Sequence, residues 1–308
     1  MENILLPSEQ LTKKELSIRK ELENKEETET GGALNFIVRN FNTKKLIPKI
    51  LEVSQLEKTA KREFTNFKIV NKEWKINSKN FSGFKILHLT DLHADIEENF
   101  ATELAEKLKN IKENANICVI TGDFQNNLND EPTATVKAVK EIIKNIQSRM
   151  PIYAVPGNHD SIKTLDAVAN LGIEFLCNKE KNIECNGEYL SLIGIEDNHF
   201  FKLDNIEKAT SKAKRNGTRI LLAHSPEIYK KAEREKIALC LSGHTHAGQI
   251  RLPYVGAIFK QANVPNKMIW GEWKYKNLQG YTSAGTGACG VPYRLNCPPE
   301  VIIHTIIN

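Results

Sequence analysis

The 308-residue chain has no run of 18 apolar residues, so no transmembrane helix is read in it. Its opening, Met1-Glu2-Asn3-Ile4-Leu5-Leu6-Pro7, has no basic leader and no long apolar core, and no export signal is expected there. Cytoplasmic residence follows as the expectation. Aromatic residues are sparse, at 7%, and no interleaving of aromatic and basic positions tracks a nucleic-acid strand. Charge of one sign is barely in excess. The 43 Lys+Arg against 38 Asp+Glu leave +5, too little for a strongly basic nucleic-acid binder, and no nucleic-acid partner is expected. None of the six cysteines forms a C-x-x-C pair, which argues against a Cys-rich structural zinc site. Cys118 and Cys240 lie in apolar runs that read as buried strands, so reduced core thiols are expected. Walker loops, nucleophile elbows and internal repeats are all missing.

The apolar fraction, 40%, is enough for a real core in one large domain or two small ones. Residues 1–30 carry eight acidic and five basic residues and read as a frayed or partly helical tail. Between residues 36 and 63 the balance reverses, with seven basic and three acidic residues. There Phe36, Ile37, Val38, Phe41, Leu46, Ile47, Ile50 and Leu51 alternate with Arg39, Lys44, Lys45 and Lys49. Pro48 is expected to open a helix running to about residue 63. That stretch suits either contact with an anionic membrane surface, at the inner face of the cytoplasmic membrane, or a helix packed on the domain. The chain therefore divides into an extension, 1–63, and a main domain, 64–308.

In the main domain, residues 67–70 and 73–76 read as a hairpin. Residues 84–89, 117–121, 152–155, 175–177, 189–194, 220–223, 237–241 and 301–307 read as strands. Helical spacing falls at 100–110, 132–148 and 165–171. Strands alternating with helices give an α/β fold, and their number implies two stacked sheets.

Metal-ligand residue types follow the apolar strands five times: Asp91-Leu92-His93, Gly122-Asp123, Gly157-Asn158-His159-Asp160, His224, and Gly243-His244-Thr245-His246. Ligands of α/β sheets bind beyond the carboxyl ends of strands, so the five loops are expected to converge. Asp91, Asp123, Asn158 and the five His are nitrogen and oxygen donors that suit Zn, Fe, Mn or Co. On an extended segment, Asp91 with His93 and His244 with His246 would each face one way. The glycines at 122, 157 and 243 allow tight turns and close backbone approach. His88 and His304 sit inside apolar strands and read as core residues, whereas His199 is placed at the substrate mouth.

These motifs, with Leu87-His88-Leu89-Thr90-Asp91-Leu92-His93 and Leu241-Ser242-Gly243-His244-Thr245-His246-Ala247-Gly248-Gln249, resemble the calcineurin-like metallophosphoesterases over about residues 64–308. With Gly285-Thr286-Gly287 leading to Arg294-Leu295-Asn296-Cys297-Pro298-Pro299-Glu300, the sequence also resembles a membrane-linked bacterial branch that includes UDP-2,3-diacylglucosamine pyrophosphatases. The resemblance implies a four-layer α/β/β/α sandwich of two mixed sheets flanked by helices. It also implies two divalent ions, Mn2+ foremost and Fe or Zn as alternatives. One ion would take Asp91, His93 and His246, and the other Asn158, His224 and His244, with Asp123 shared. His159 would be the proton donor, and Asn126, His199 and Arg294 would line the substrate site. Where the family often has a second Asp, this chain has Asn126, and Asp160 is the expected substitute for orienting His159. The implied activity is hydrolysis of a phosphate-containing small molecule or lipid, foremost UDP-2,3-diacylglucosamine of lipid A synthesis, releasing UMP and a lipid phosphate. The alternatives are a broad-specificity phosphodiesterase and a non-catalytic scaffold on the same fold.

Overall fold

The computed structural model describes residues 4–25, 43–109, 111, 115–214, 217–257 and 259–308. Two six-stranded sheets dominate. The first runs β1 (Lys68–Lys75), β14 (Glu300–Ile307), β2 (Lys85–Leu89), β3 (Ile117–Ile120), β4 (Ile152–Ala154), β5 (Glu174–Phe175). The second runs β12 (Gly271–Tyr275), β13 (Leu278–Thr282), β9 (Leu239–Ser242), β8 (Thr218–Leu222), β7 (Glu188–Gly194), β6 (Lys179–Cys185). Both are mixed. β2, β3 and β4 are parallel neighbours, as are β7, β8 and β9, while β2 and β14 pair antiparallel. A short ribbon, β10 (Arg251–Leu252) with β11 (Gly256–Ala257), stands apart from both sheets.

The strand period of two builds three cores from one alphabet. In β3, Ile117 and Val119 face the second sheet, where they join Leu192 of β7, Leu222 of β8 and Leu241 of β9. Cys118 and Ile120 face the other way, onto the helices Phe100–Lys109, Thr133–Gln147 and Ile162–Ala169. On the far side, Ile193, Leu221 and Cys240 of the second sheet cover helices Ile206–Thr210 and Tyr229–Arg234. The result is the expected α/β/β/α sandwich. All six cysteines are free thiols.

Three expectations are corrected. Residues 67–76 form no hairpin. β1 is one strand, parallel to β14 from Lys68 opposite Glu300 to Lys75 opposite Ile307, because the last strand supplies a continuous partner that local turn chemistry does not reveal. Pro48 does not open a helix. It lies inside the helix Thr43–Val53, and a second helix, Glu57–Phe64, follows. Burial of Leu51 against Ala60, Ile250 and Leu295 holds that first helix despite the lost backbone bond, with Ile50 and Val53 left exposed. Of the apolar-basic stretch, residues 36–42 lie outside the described residues. Finally, of the frayed and partly helical alternatives for residues 1–30, only the frayed one is corrected over residues 4–25. Helices Pro7–Gln10 and Lys13–Lys25 dock on the domain, and the Gln10 side chain donates to Phe175 O at 3.0 Å and accepts from Cys177 N at 3.1 Å.

Candidate metal centre

All five donor loops leave the carboxyl ends of strands: β2, β3 and β4 from one sheet, β8 and β9 from the other. Their side chains meet in one pocket. Asp91, His93, Asp123 and His246 bring ligand atoms within 4.8 Å of one another, and Asp123, His224 and His244 do the same. Asp123 belongs to both groups. Its Oδ2 lies 3.3 Å from His224 Nε2 and 3.6 Å from His93 Nε2. Asn158 Oδ1 is 2.8 Å from His224 Nε2, and His246 Nε2 is 3.4 Å from Asp91 Oδ1.

The loops are not extended, which corrects the reading of same-facing pairs. Asp91, His93, Asp123, His244 and His246 all have positive φ, between 39° and 69°. Non-glycine residues seldom adopt this region, and such strain persists only where the surroundings over-determine it. Here the chain reverses at nearly every donor, which turns neighbouring side chains onto one point. The glycines serve close approach, as expected. A Cβ at Gly157 would sit 2.2 Å from Asp123 Oδ1, and one at Gly243 would sit 2.1 Å from Asp91 Oδ2.

Backbone carbonyls set the histidine tautomers. His93 Nδ1–H donates to Gln125 O at 3.0 Å, His224 Nδ1–H to Thr121 O at 2.8 Å, and His244 Nε2–H to Gln261 O at 3.0 Å. In each ring the other nitrogen faces the pocket, the one a metal-ligating imidazole would offer. Thr121, Gln125 and Gln261 were missed from sequence because a carbonyl carries no residue signature.

The carboxylates are crowded. Burial, with the Asp123 charge adding to it against the relief of His224, pushes Asp91 up to about 7. Burial also works against ionised Asp123, but His224, His159 and His93 outweigh it and hold that carboxyl well below its usual range. Burial drives His93 down to about 3 and puts His244 and His246 well below 6.5. His224 is the exception, because Asp123 outweighs burial and pushes it up to about 10. Two carboxylates that resist ionising together, ringed by imidazoles aimed inward, form a donor set that divalent cations complete. The residues fit two such ions.

His159 lies at the partly exposed edge of this pocket. Its backbone N–H donates to Asp123 Oδ1 at 2.9 Å, and its Nδ1 is held 2.8 Å from the backbone carbonyl of Asn126. Its Nε2 is 3.7 Å from Cys289 Sγ. Burial opposes a charge on it, yet Cys289 and Asp123 raise its pKa well above 6.5.

Asp160 and Arg294 do not play their expected parts. Asp160 makes no contact with the His159 ring. Its buried carboxylate instead accepts from the backbone N–H groups of Asp123, Phe124, Gln125 and Gly157, at 2.7 to 3.2 Å, and so ties two donor loops together. Arg294 is fully buried and donates to the carbonyls of Ala284, Gly287 and Cys297, so it braces the 284–297 loop instead of facing substrate. The side chain of Asn126 accepts from Gly290 N at 2.9 Å. His199 pairs with Glu227 at 2.8 Å and packs its ring on His244, 4.1 Å between centroids, at the pocket edge.

The family model of the calcineurin-like phosphoesterases matches residues 84–248, more than half of the chain. An uncharacterized metallophosphoesterase of Helicobacter pylori (strain ATCC 700392 / 26695) is 32% identical over 229 residues, which cover 70% of this chain and 58% of that protein. A transmembrane protein with metallophosphoesterase domain from Danio rerio is 28% identical, covering 72% of this chain and 53% of that one. The chain thus spans little more than half the length of these two relatives. The phosphodiesterase YaeI of Escherichia coli (strain K12) is 26% identical, covering 78% of this chain and 88% of its own length.

Proposed function

The chain belongs to the calcineurin-like phosphoesterases, and on that footing we propose that it is a metal-dependent phosphodiesterase using two divalent ions. The observation that carries this reading is the position of Asp123, whose Oδ2 reaches both histidine groups while its Oδ1 holds the His159 backbone. Asp91, His93 and His246 would hold one ion with Asp123, and Asn158, His224 and His244 would hold the other with it. Bound there, the ions would polarise the phosphoryl group and activate the attacking water.

The chain's own residues do the rest. Asn126 O fixes the His159 ring so that Nε2 is the atom left to give a proton to the departing oxygen. Against burial, Cys289 and Asp123 raise that ring's pKa, the direction a proton donor needs. General acid catalysis of this kind supplies about 10²- to 10⁴-fold. The relative named a phosphodiesterase supports a diester substrate, and UDP-2,3-diacylglucosamine remains the narrower candidate that the sequence raised.

The test is hydrolysis of bis-p-nitrophenyl phosphate, p-nitrophenyl phosphate and a UDP-linked diacyl sugar, each with Mn2+, Zn2+ or Fe2+. Diester turnover that vanishes with chelator supports the proposal. Turnover of the UDP-linked sugar alone would replace it with the narrower role, and no turnover with any metal would overturn both.

Among the described residues, no helix is long and apolar enough to cross a membrane.

A further inference from the structure

Among the described residues of the extension, the most deeply buried charge is Arg19, on the helix Lys13–Lys25. Its guanidinium has no solvent exposure and stacks 4.0 Å over the ring of Phe201. One arm, Nη1, pairs with Glu196 Oε2 at 2.6 Å. The other, Nη2, donates to the backbone carbonyl of Asp160 at 2.6 Å. Glu23, one turn on and 3.3 Å from Arg19 Nε, accepts from Ile162 N at 2.8 Å. Two side chains of one helix therefore grip the backbone on either side of Ser161, directly behind His159.

The grip reaches both halves of the pocket. Asp160 is pinned at both ends, with its carbonyl on Arg19 and its carboxylate on the Asp123 and Gly157 loops. Glu196 precedes Asp197, whose carboxylate gathers the N–H groups of His199, Phe200 and Phe201 and thereby sets His199 on His244. Burying a guanidinium–carboxylate pair is a poor way to gain stability, since apolar residues of similar volume often do as well. What such a pair supplies here is directional contact with two loops at once, from the planar fork of an arginine.

We propose that Arg19 is a positioning residue for the hydrolysis, stapling the His159 loop against Asp123 from behind. This rests on the reading of His159 as the proton donor. If that loop drifts, proton delivery suffers more than binding does, and esters with poor leaving groups feel it most. Misplacement of a catalytic group by about 1 Å can cost 10²-fold.

The test compares the p-nitrophenyl and phenyl esters of one phosphodiester on the metal-loaded full chain. Arg19→Lys retains the charge with one arm, whereas Arg19→Met combined with Glu196→Met removes both charges of the fully buried pair and leaves Glu23 its hydrogen bond from Ile162 N. Metal content and thermal unfolding of each variant are measured alongside. The expected result is kcat on the phenyl ester lower by roughly 10- to 100-fold in the double variant, and by less in Arg19→Lys. The p-nitrophenyl ester should change little, with KM and metal content near those of the parent. His159→Ala is run in parallel. If it shows the leaving-group dependence and the double variant does not, the staple is overturned. Equal losses on both esters together with lost metal would also overturn it, by making Arg19 a folding residue only. If His159→Ala itself shows no such dependence, the proton-donor reading fails instead, and the staple with it.

Discussion

Two groups of buried histidines lie in this protein, and they differ in what their ring nitrogens meet. In the core between the sheets, Trp74 Nε1–H donates to His304 Nδ1 at 2.9 Å. His304 Nε2–H must then donate to His88 Nδ1, 3.2 Å away, and His88 Nε2–H to Thr121 Oγ1 at 2.8 Å. Every nitrogen is matched, no carboxylate takes part, and the chain of bonds runs in one direction. In the pocket, by contrast, His93, His224 and His244 each spend one nitrogen on a backbone carbonyl and turn the other toward Asp123 or its neighbours. Both groups are equally buried. Burial therefore does not mark a ligand histidine. A ring nitrogen turned toward a carboxylate, with the other nitrogen held by a backbone carbonyl, does.

The largest expected effect falls on the shared carboxylate. Asp123→Asn should lose affinity for both ions and about 10³-fold or more in kcat, several kcal/mol of transition-state stabilisation. Metal analysis checks it, and two ions retained at full occupancy would mean that Asp123 joins nothing. Next comes His159→Ala, which should keep its ions while losing about 10²- to 10⁴-fold with poor leaving groups. Metal loss there would place His159 among the ligands.

The core pair should respond in stability alone. His304→Leu leaves the Trp74 N–H and a His88 nitrogen without partners, at a cost of about 1–3 kcal/mol by urea unfolding. Metal content should be unchanged, and a loss of metal would erase the distinction between the two groups.

The smallest effect is in pH dependence. Burial holds His88 down at about 3 and, with His88 beside it, pushes His304 well below its ordinary value of 6.5. Both are neutral in the fold, while the unfolded chain protonates them below about 6.5. The unfolded state then binds more protons, so stability rises with pH through that window and is lost on acidification. Each ring contributes about 1.4 kcal/mol per pH unit. His304→Leu should flatten the slope of unfolding free energy by about that amount between pH 4 and 6, and an unchanged slope would show that the pair is not held neutral.

Much of the pocket was legible along the chain. Asp91, His93, Asp123, Asn158, His224, His244 and His246 follow apolar strands, and strand ends are where α/β sheets expose side chains. The core assignment of His88 and His304 was legible for a related reason, since both fall within strands that bury both faces. Asp160 was misread because a carboxylate beside a histidine invites pairing, whereas its nearest donors are four backbone N–H groups. Arg294 was misread because a cation near a phosphate site suggests substrate, whereas carbonyls of its own loop take its donors. For residues 1–30 the sequence left frayed and partly helical readings open, because composition does not show that one charge of that segment, Arg19, is buried against a carbonyl 141 residues away along the chain.

The linear order of residues determined the strands that carry the donors and which donors ride at their ends, because period-two burial and covalent attachment are local properties. Tertiary structure alone decided which carbonyl turns each imidazole, that Asp123 stands between the two histidine groups, and that an arginine from the helix Lys13–Lys25 reaches the back of the pocket. Those outcomes depend on backbone atoms, identical in every residue type, and on contacts between segments far apart in the chain, as between Arg19 and Asp160. Neither leaves a pattern in residue spacing.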